Sequence, residues 1–270
     1  MTQPTAQIVM RNRAAVAEEL RRLLPKMEGV RAARPIPFGL AAIDRHLPQG
    51  GLACGALHEI VPEAGATPAA FGFLVALLVR LSGTNPLFLV LPAYGLRDYG
   101  RPYGHGLRAL GLDPSRLILV ETAHRKDTLW AMEEALRSRA PAAVAGIIDQ
   151  LDLKTSQRLH LAAADCGLPL LLLRPAPSLP SPACGGGWEG GSATATRWRV
   201  GPAPAARDRF GLITRPRWHL HLERVRNGRS GEWVVEYDHV AHRFSLAATL
   251  ADPAHARGAS QKADRQAHCA

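Results

Sequence analysis

Four unbroken apolar runs of strand length most constrain this chain: 87–91, 117–120, 143–148 and 168–173. None shows the polar alternation of a strand with one wet face, so each is expected to be buried on both sides. Between them lie segments with helical spacing, at 68–82 (opened by Pro68), 127–139 and 154–166. Strands of this kind alternating with helices predict a doubly wound α/β core, a mainly parallel sheet with helices on both faces. A further short strand is expected to end in His58-Glu59-Ile60-Val61.

The pattern changes at both ends of this core. Residues 5–24 read as an amphipathic helix, with Val9, Val16, Leu20, Leu23 and Leu24 at helical spacing and Pro25 beyond it. The segment 25–37 then carries three prolines and the cations Lys26, Arg31 and Arg34, as a linker would. So 1–37 is expected to form a helical arm and linker, and 38–250 the α/β domain. After Arg174, four prolines and five glycines in 175–192 predict a mobile loop. Beyond it, 194–200 and 216–226 alternate, and Asn227-Gly228 marks a hairpin turn into 232–237. These strands, a basic hairpin over 194–237, are expected to extend the sheet in antiparallel fashion. Residues 251–270 lack a hydrophobic pattern and read as a flexible tail.

Charge and cysteine usage narrow the function classes. Thirty-three Lys and Arg against 23 Asp and Glu give a net charge of +10, which favours an anionic partner. Cys54, Cys166, Cys184 and Cys269 stand far apart with no CxxC pair, so neither a zinc knuckle nor a disulfide framework is indicated. No signal peptide is visible and no apolar stretch is long enough to cross a bilayer, so a cytoplasmic protein without membrane contact is expected.

The stretch from Gly50 to Thr67 runs in the order of a RecA core: glycine turn, strand, loop, helix. A working phosphate loop needs glycines whose N–H groups cradle phosphate, a Lys for the terminal phosphates and a Ser or Thr for Mg²⁺. Here the loop keeps one glycine, Gly65, and a hydroxyl, Thr67, with no Lys between Arg45 and Arg80. Asp149 ends a buried strand, where such folds keep a Mg²⁺-supporting Asp, although strand ends also carry Asp as a helix cap. The strand 87–91 runs into Pro92-Ala93-Tyr94, and Ala93 falls where a water-activating glutamate is needed. These residues predict a nucleotide site that no longer works, hence no cofactor, no small-molecule substrate and no catalysis.

The blocks Phe38-Gly39-Leu40 with Gly50-Gly51-Leu52, His58-Glu59-Ile60, and Asp113-Pro114-Ser115-Arg116-Leu117-Ile118-Leu119-Val120 resemble the ImuA family. So do Leu129-Trp130-Ala131-Met132-Glu133-Glu134-Ala135-Leu136-Arg137, Thr194-Ala195-Thr196-Arg197-Trp198-Arg199-Val200 and Asp238-His239-Val240-Ala241-His242-Arg243-Phe244. The match covers about residues 36–246. The resemblance implies a RecA-like fold without ATPase function. It also implies an accessory role in SOS-induced, error-prone translesion synthesis, with RecA and an ImuB-like polymerase subunit as partners. The cell-division inhibitor SulA is a more distant likeness.

Other signals are weaker. Arg197, Arg199, Arg215, Arg217, Arg224, Arg226 and Arg229 fall in a window of nine arginines with Trp198 and Trp218, as a weak DNA contact or an acidic protein partner would require. Alternation places Arg197 and Arg199 opposite Trp198, against base stacking. Gly185, Gly187 and Gly190 spell GxGxxG in a loop context that does not fit a dinucleotide site. His219, His221, His239 and His242 lack a completing Asp or Cys and read as surface histidines. The arm residues Val9, Val16, Leu20, Leu23 and Leu24 form either a partner-binding face or a helix packed on its own sheet. Two rival functions stay open at this point. One is a residual ATP-binding switch using Thr67, Asp149 and a distant Lys such as Lys154. The other is a single-stranded DNA binder using the Arg-rich hairpin.

Overall fold

The computed structural model describes residues 35–93, 100–175, 192–205 and 207–247. Most of the arm, nearly all of the Pro/Gly loop and the tail lie outside them. The remaining chain forms one nine-stranded sheet. In chain order its elements are α1 (Ala41–Asp44), β1 (Leu57–Pro62), α2 (Thr67–Leu81), β2 (Leu87–Pro92), α3 (Gly104–Ala109), β3 (Leu117–Thr122), α4 (Arg125–Arg137), β4 (Ala143–Ile147), α5 (Leu153–Cys166) and β5 (Leu170–Leu173). They continue as β6 (Thr196–Pro202), β7 (Arg217–Val225), β8 (Gly231–Asp238) and β9 (Arg243–Leu246).

The strand order is β3-β2-β4-β5-β1-β6-β7-β8-β9. The first six strands of that order are parallel and the last three antiparallel, an α/β RecA-like fold. The apolar runs behave as their composition dictates: every residue of β4 and β5 is buried. β3, at the edge, is only half covered. The 194–200 strand departs from the expected direction. β6 lies parallel to β1, with Glu59 opposite Arg197 and Val61 opposite Arg199, and the antiparallel part begins only at β7. Alternation reports that one face is wet, not which way a neighbour runs.

Helices cover the two faces unequally. On one side, α4 and α5 pack Leu129, Met132, Leu136, Leu159 and Ala163 onto Val90, Val144, Leu170 and Leu172. Gly146 permits this approach, because a Cβ there would collide with the Met132 sulfur. Asp152 caps α5 by accepting from the Thr155 amide at 2.6 Å, and Gly167 ends it in the left-handed region. On the other side α2 buries nine of its 15 residues, too many for a helix with one wet stripe. Its outer surface is enclosed by Phe38, Trp198, Trp218, Tyr237 and Phe244, aromatic side chains of the 36–52 segment and of β6 to β9. Phe73 of α2 meets Phe38, Trp198, Trp218 and Phe244 at ring separations of 5.9–6.3 Å. Tyr237 donates its hydroxyl to the Leu110 carbonyl at 3.1 Å, tying β8 to the segment between β2 and β3. On the opposite face of β8, Glu232 and Val234 are exposed and Glu236 is half-buried.

A buried polar chain fixes β1 against β6. Trp198 Nε1 donates to Thr196 Oγ1 at 2.9 Å, and Thr196 lies 2.8 Å from His58 Nδ1. His58 Nε2 is 2.9 Å from the Ala53 carbonyl, which can only accept, so the proton is on Nε2. Burial pushes this imidazole down to about 4, against the pull of the Ala53 bond.

Candidate functional site

β1, β4 and β2 bring the loop 62–67, Asp149 and Ala93 to one edge of the parallel sheet, the carboxyl ends of its strands, where ligands of such folds bind. The loop is a tight turn. Gly65 takes a φ of 72°, open to glycine without strain, and lets the Ala66 amide fold back onto the Glu63 carbonyl at 2.9 Å. The Glu63 amide is bonded to the Val200 carbonyl of β6 at 2.8 Å, and Pro68 has no N–H to offer. So the Glu63 and Ala66 amides are both taken by backbone carbonyls and are not offered to an anion.

The charge at the loop is negative where phosphate would need it positive. The Glu63 carboxylate lies over Gly201, whose missing side chain leaves room for it. His219 Nδ1 approaches Glu63 Oε1 at 2.9 Å, and its Nε2 approaches Glu232 Oε1 at 2.5 Å. The bond to Glu63, helped by Glu232, raises the His219 pKa above its ordinary value. A carboxylate–imidazole–carboxylate row thus runs from the loop across β7 to β8. Thr67 is buried at the first turn of α2, and Ala66 puts a methyl where a Lys ammonium would be needed. Asp149 is half-buried and accepts from the Gln150 amide at 2.8 Å, as a local cap. Ala93, half-buried, follows β2 directly. These residues do not fit a nucleoside triphosphate with its Mg²⁺. Lys154 stands exposed in the first turn of α5.

Beside this loop lies a charge cluster that the sequence did not reveal. Glu59 is fully buried in β1, with Arg197 Nε at 2.7 Å from Oε2 and Arg174 Nη1 at 3.4 Å from Oε1. Arg197 also donates to Ser192 Oγ at 3.0 Å. Burial lowers the Arg174 pKa, while Glu59 and, more weakly, Asp149 raise it. The only sequence signal was a carboxylate inside an otherwise apolar strand, which must find a cation when buried.

The seven hairpin arginines divide into two groups. Arg197 is bound to Glu59, Arg199 to Glu223, Arg215 to Glu236 and Asp238, and Arg217 to Glu236. Burial pushes the Glu236 carboxyl up, but Arg217 and Arg215 outweigh it and hold it below its usual range. Arg224 is exposed at the end of β7, Arg226 joins Ala195 through its amide, and Arg229 joins His46 through its backbone. The missed partners are Glu59 of β1 and, on one alternating face of β8 that registers beside β7, Glu236 and Asp238. His221 lies opposite Glu232 in that ladder, while His239 and His242 belong to the β8–β9 turn. Among the described residues no group of three or more His, Cys, Asp or Glu is arranged to hold a metal ion. Val9, Val16, Leu20, Leu23 and Leu24 lie outside the described residues.

No protein-family model matches the chain. It is 35% identical over 242 residues to Protein ImuA of Caulobacter vibrioides strain NA1000 / CB15N, a match that spans 83% of this chain and 93% of the relative. The chain belongs to the ImuA family. The same figures hold against Protein ImuA of Caulobacter vibrioides strain ATCC 19089 / CIP 103742 / CB 15. This ImuA-family chain therefore joins a mostly parallel α/β sheet to a loop, 62–67, whose Glu63 is paired with His219. None of its helices, among the described residues, is long and apolar enough to cross a membrane.

Proposed function

We propose that this chain is a non-catalytic adaptor of damage-induced, error-prone translesion synthesis, binding RecA and an ImuB-like polymerase subunit. The observation that carries the reading is the Glu63–His219 pair, 2.9 Å apart, at the loop where a RecA-type ATPase would hold phosphate. A carboxylate there repels a triphosphate, and the Glu63 and Ala66 amides, already bonded to carbonyls, add nothing to a cradle for it. A protein of this family with that loop works through its surfaces. A stand-alone DNA binder is the weaker reading, since Arg197, Arg199, Arg215 and Arg217 already have carboxylate partners. In the same reading 1–37 is an arm that reaches a partner, 38–250 the folded core and 251–270 a tail.

The test is a binding assay of the purified full chain with purified RecA and purified ImuB-like protein, with and without ATP. Binding of either partner that does not depend on nucleotide held by this chain is expected. Saturable ATP binding to the chain alone, required before either partner binds, would overturn it. Removing residues 1–34 should abolish RecA binding while the core keeps its melting temperature.

A further inference from the structure

Arg45, Arg224 and Arg229 share one corner of the sheet, and among the described residues none of their side chains is paired with a carboxylate. Arg45 follows α1, Arg224 lies near the end of β7 and Arg229 just before β8, all three exposed. Backbone contacts bring the segments together. The Arg229 amide donates to the His46 carbonyl at 2.9 Å, and His46 Nδ1 donates to the Ser230 carbonyl at 2.9 Å. Gly228 permits this approach, since a Cβ there would lie 2.3 Å from the His46 carbonyl oxygen. The Arg226 amide donates to the Ala195 carbonyl, and the Ala195 amide to the Leu57 carbonyl, both at 2.8 Å. The corner therefore sits where β1 and β6 begin, at the end of the sheet opposite the loop 62–67.

Its charge is positive and uncompensated. Asp44 turns to the Phe38 and Gly39 amides at 2.7 and 3.0 Å, Glu223 is paired with Arg199, and Glu232 with His219. Arg197 stands opposite Arg224 in the β6–β7 ladder. Across the hairpin, Arg224 and Arg229 each stand two positions beyond the last paired residues, Leu222 and Gly231. Like charges facing each other across strands are destabilising, and an anion held between them removes the repulsion. None of the exposed large apolar side chains lies in 44–50 or 223–230. Val225 packs on the core, and the Trp233 ring is met by His46 at 5.0 Å. The corner thus lacks the apolar anchor of a protein interface and the aromatic platform on which single-stranded bases stack. Charge alone remains, and duplex DNA offers the densest phosphate charge, about one per 1.7 Å of axis. We infer that Arg45, Arg224 and Arg229 hold the phosphate backbone of double-stranded DNA without sequence preference. The contact is additional to the adaptor reading and does not rest on it.

The experiment titrates the full chain with a short mixed-sequence duplex, an oligo-dT single strand and polyglutamate over a range of salt, with thermal melting as the check on folding. The variants are Arg45→Ala, Arg224→Ala, Arg229→Ala, the three combined, and Arg224→Lys. Lys154→Ala removes an exposed cation in the first turn of α5, at the other end of the sheet, and is the control. Each Ala variant should reduce the slope of log duplex affinity against log salt by about 0.9, and the triple variant should lose most of it. Arg224→Lys, which keeps the charge, should keep the slope. An equal drop with Lys154→Ala would show a response to net charge and overturn the inference. So would a parent chain that binds no duplex at low salt, or that binds oligo-dT or polyglutamate more tightly. Loss of RecA or ImuB-like binding by the triple variant with duplex binding intact would assign the corner to that protein instead. Failure of the parent chain to bind either protein would end the adaptor reading and leave this one standing.

Discussion

Arg197 Nε donates to Glu59 Oε2 at 2.7 Å across the ladder between β1 and β6, with Glu59 fully buried. The first arginine of the basic hairpin is therefore an internal counter-ion. Removing Arg197 takes the closer of the two cations from Glu59 and leaves it Arg174 at 3.4 Å. The loss is that of one charge-assisted hydrogen bond and not of a stranded charge. Arg197→Ala should therefore lower stability by about 1.5–3 kcal/mol in urea denaturation. Arg224→Ala, at an exposed position, should change it by less than about 0.5 kcal/mol. Equal effects would mean that Glu59 does not depend on Arg197.

Two histidines set opposite limbs of the stability–pH curve. His58 is pushed down to about 4 from an ordinary 6.5, so its contribution is complete above pH 6.5 and falls as the pH drops towards 4. At about 1.4 kcal/mol per unit, this amounts to about 3 kcal/mol. His219 is raised above 6.5 by Glu63 and Glu232, so its contribution is complete below 6.5 and is lost as the pH rises through the raised value. Melting temperature should peak near neutrality. His219→Gln should flatten the alkaline side and leave the decline between pH 6.5 and 4. An alkaline limb unchanged in that variant would refute the assignment.

Restoring a single residue of the phosphate loop should not restore the site. Ala66→Lys adds an ammonium, but Glu63, the buried Thr67, Pro68 and the methyl of Ala93 remain. ATP turnover by this variant should stay at background, and ATP with Mg²⁺ should not raise its melting temperature. Measurable hydrolysis would show that the Lys alone was missing.

Any DNA affinity should carry a shallow salt dependence. Each phosphate contact on a single strand adds about 0.7 to the slope of log affinity against log salt. Arg199 and Arg217 have carboxylate partners, so Arg199→Ala and Arg217→Ala should leave that slope unchanged. Arg224→Ala should reduce it by about 0.7. A slope drop on removing Arg199 or Arg217 would mean that those ion pairs open on binding.

The core was legible because its strands are buried on both faces and leave unbroken apolar runs. The stretches 87–91, 143–148 and 168–173 return as β2, β4 and β5, and the three helices between strands begin within two residues of their expected starts. The direction of β6 was not legible, since the alternation of Arg197 and Arg199 with the buried Trp198 reports which face is covered and not which way a neighbour runs. The short strand β9 lies in a segment without a long apolar run. At the candidate site, the missing Lys could be read in the sequence, because absence of a residue type needs no geometry. The Glu63–His219 and Glu59–Arg197 pairs could not, because they join positions 156 and 138 residues apart. The connection at 207–213 was read only as part of an arginine window. What the window did not show is the local turn, in which Asp208 Oδ1 accepts from the Phe210 and Leu212 amides.

The position of β1 at the centre of the sheet has a kinetic consequence. β2, β3 and β4 can pair soon after they are made, but β1 finds its partners only in β5 and β6, with His58 meeting Thr196 after an interval of 138 residues. Until about residue 173 has left the ribosome both edges of β1 are bare. Until about residue 202 the edge that β6 takes stays open, with the aromatic cover that β6 to β9 give α2 still missing. Closing such distant contacts is slow, and the waiting chain exposes strand edges and apolar surface. Synthesis therefore passes through an aggregation-prone stage that ends only when β6 slides in beside the first strand.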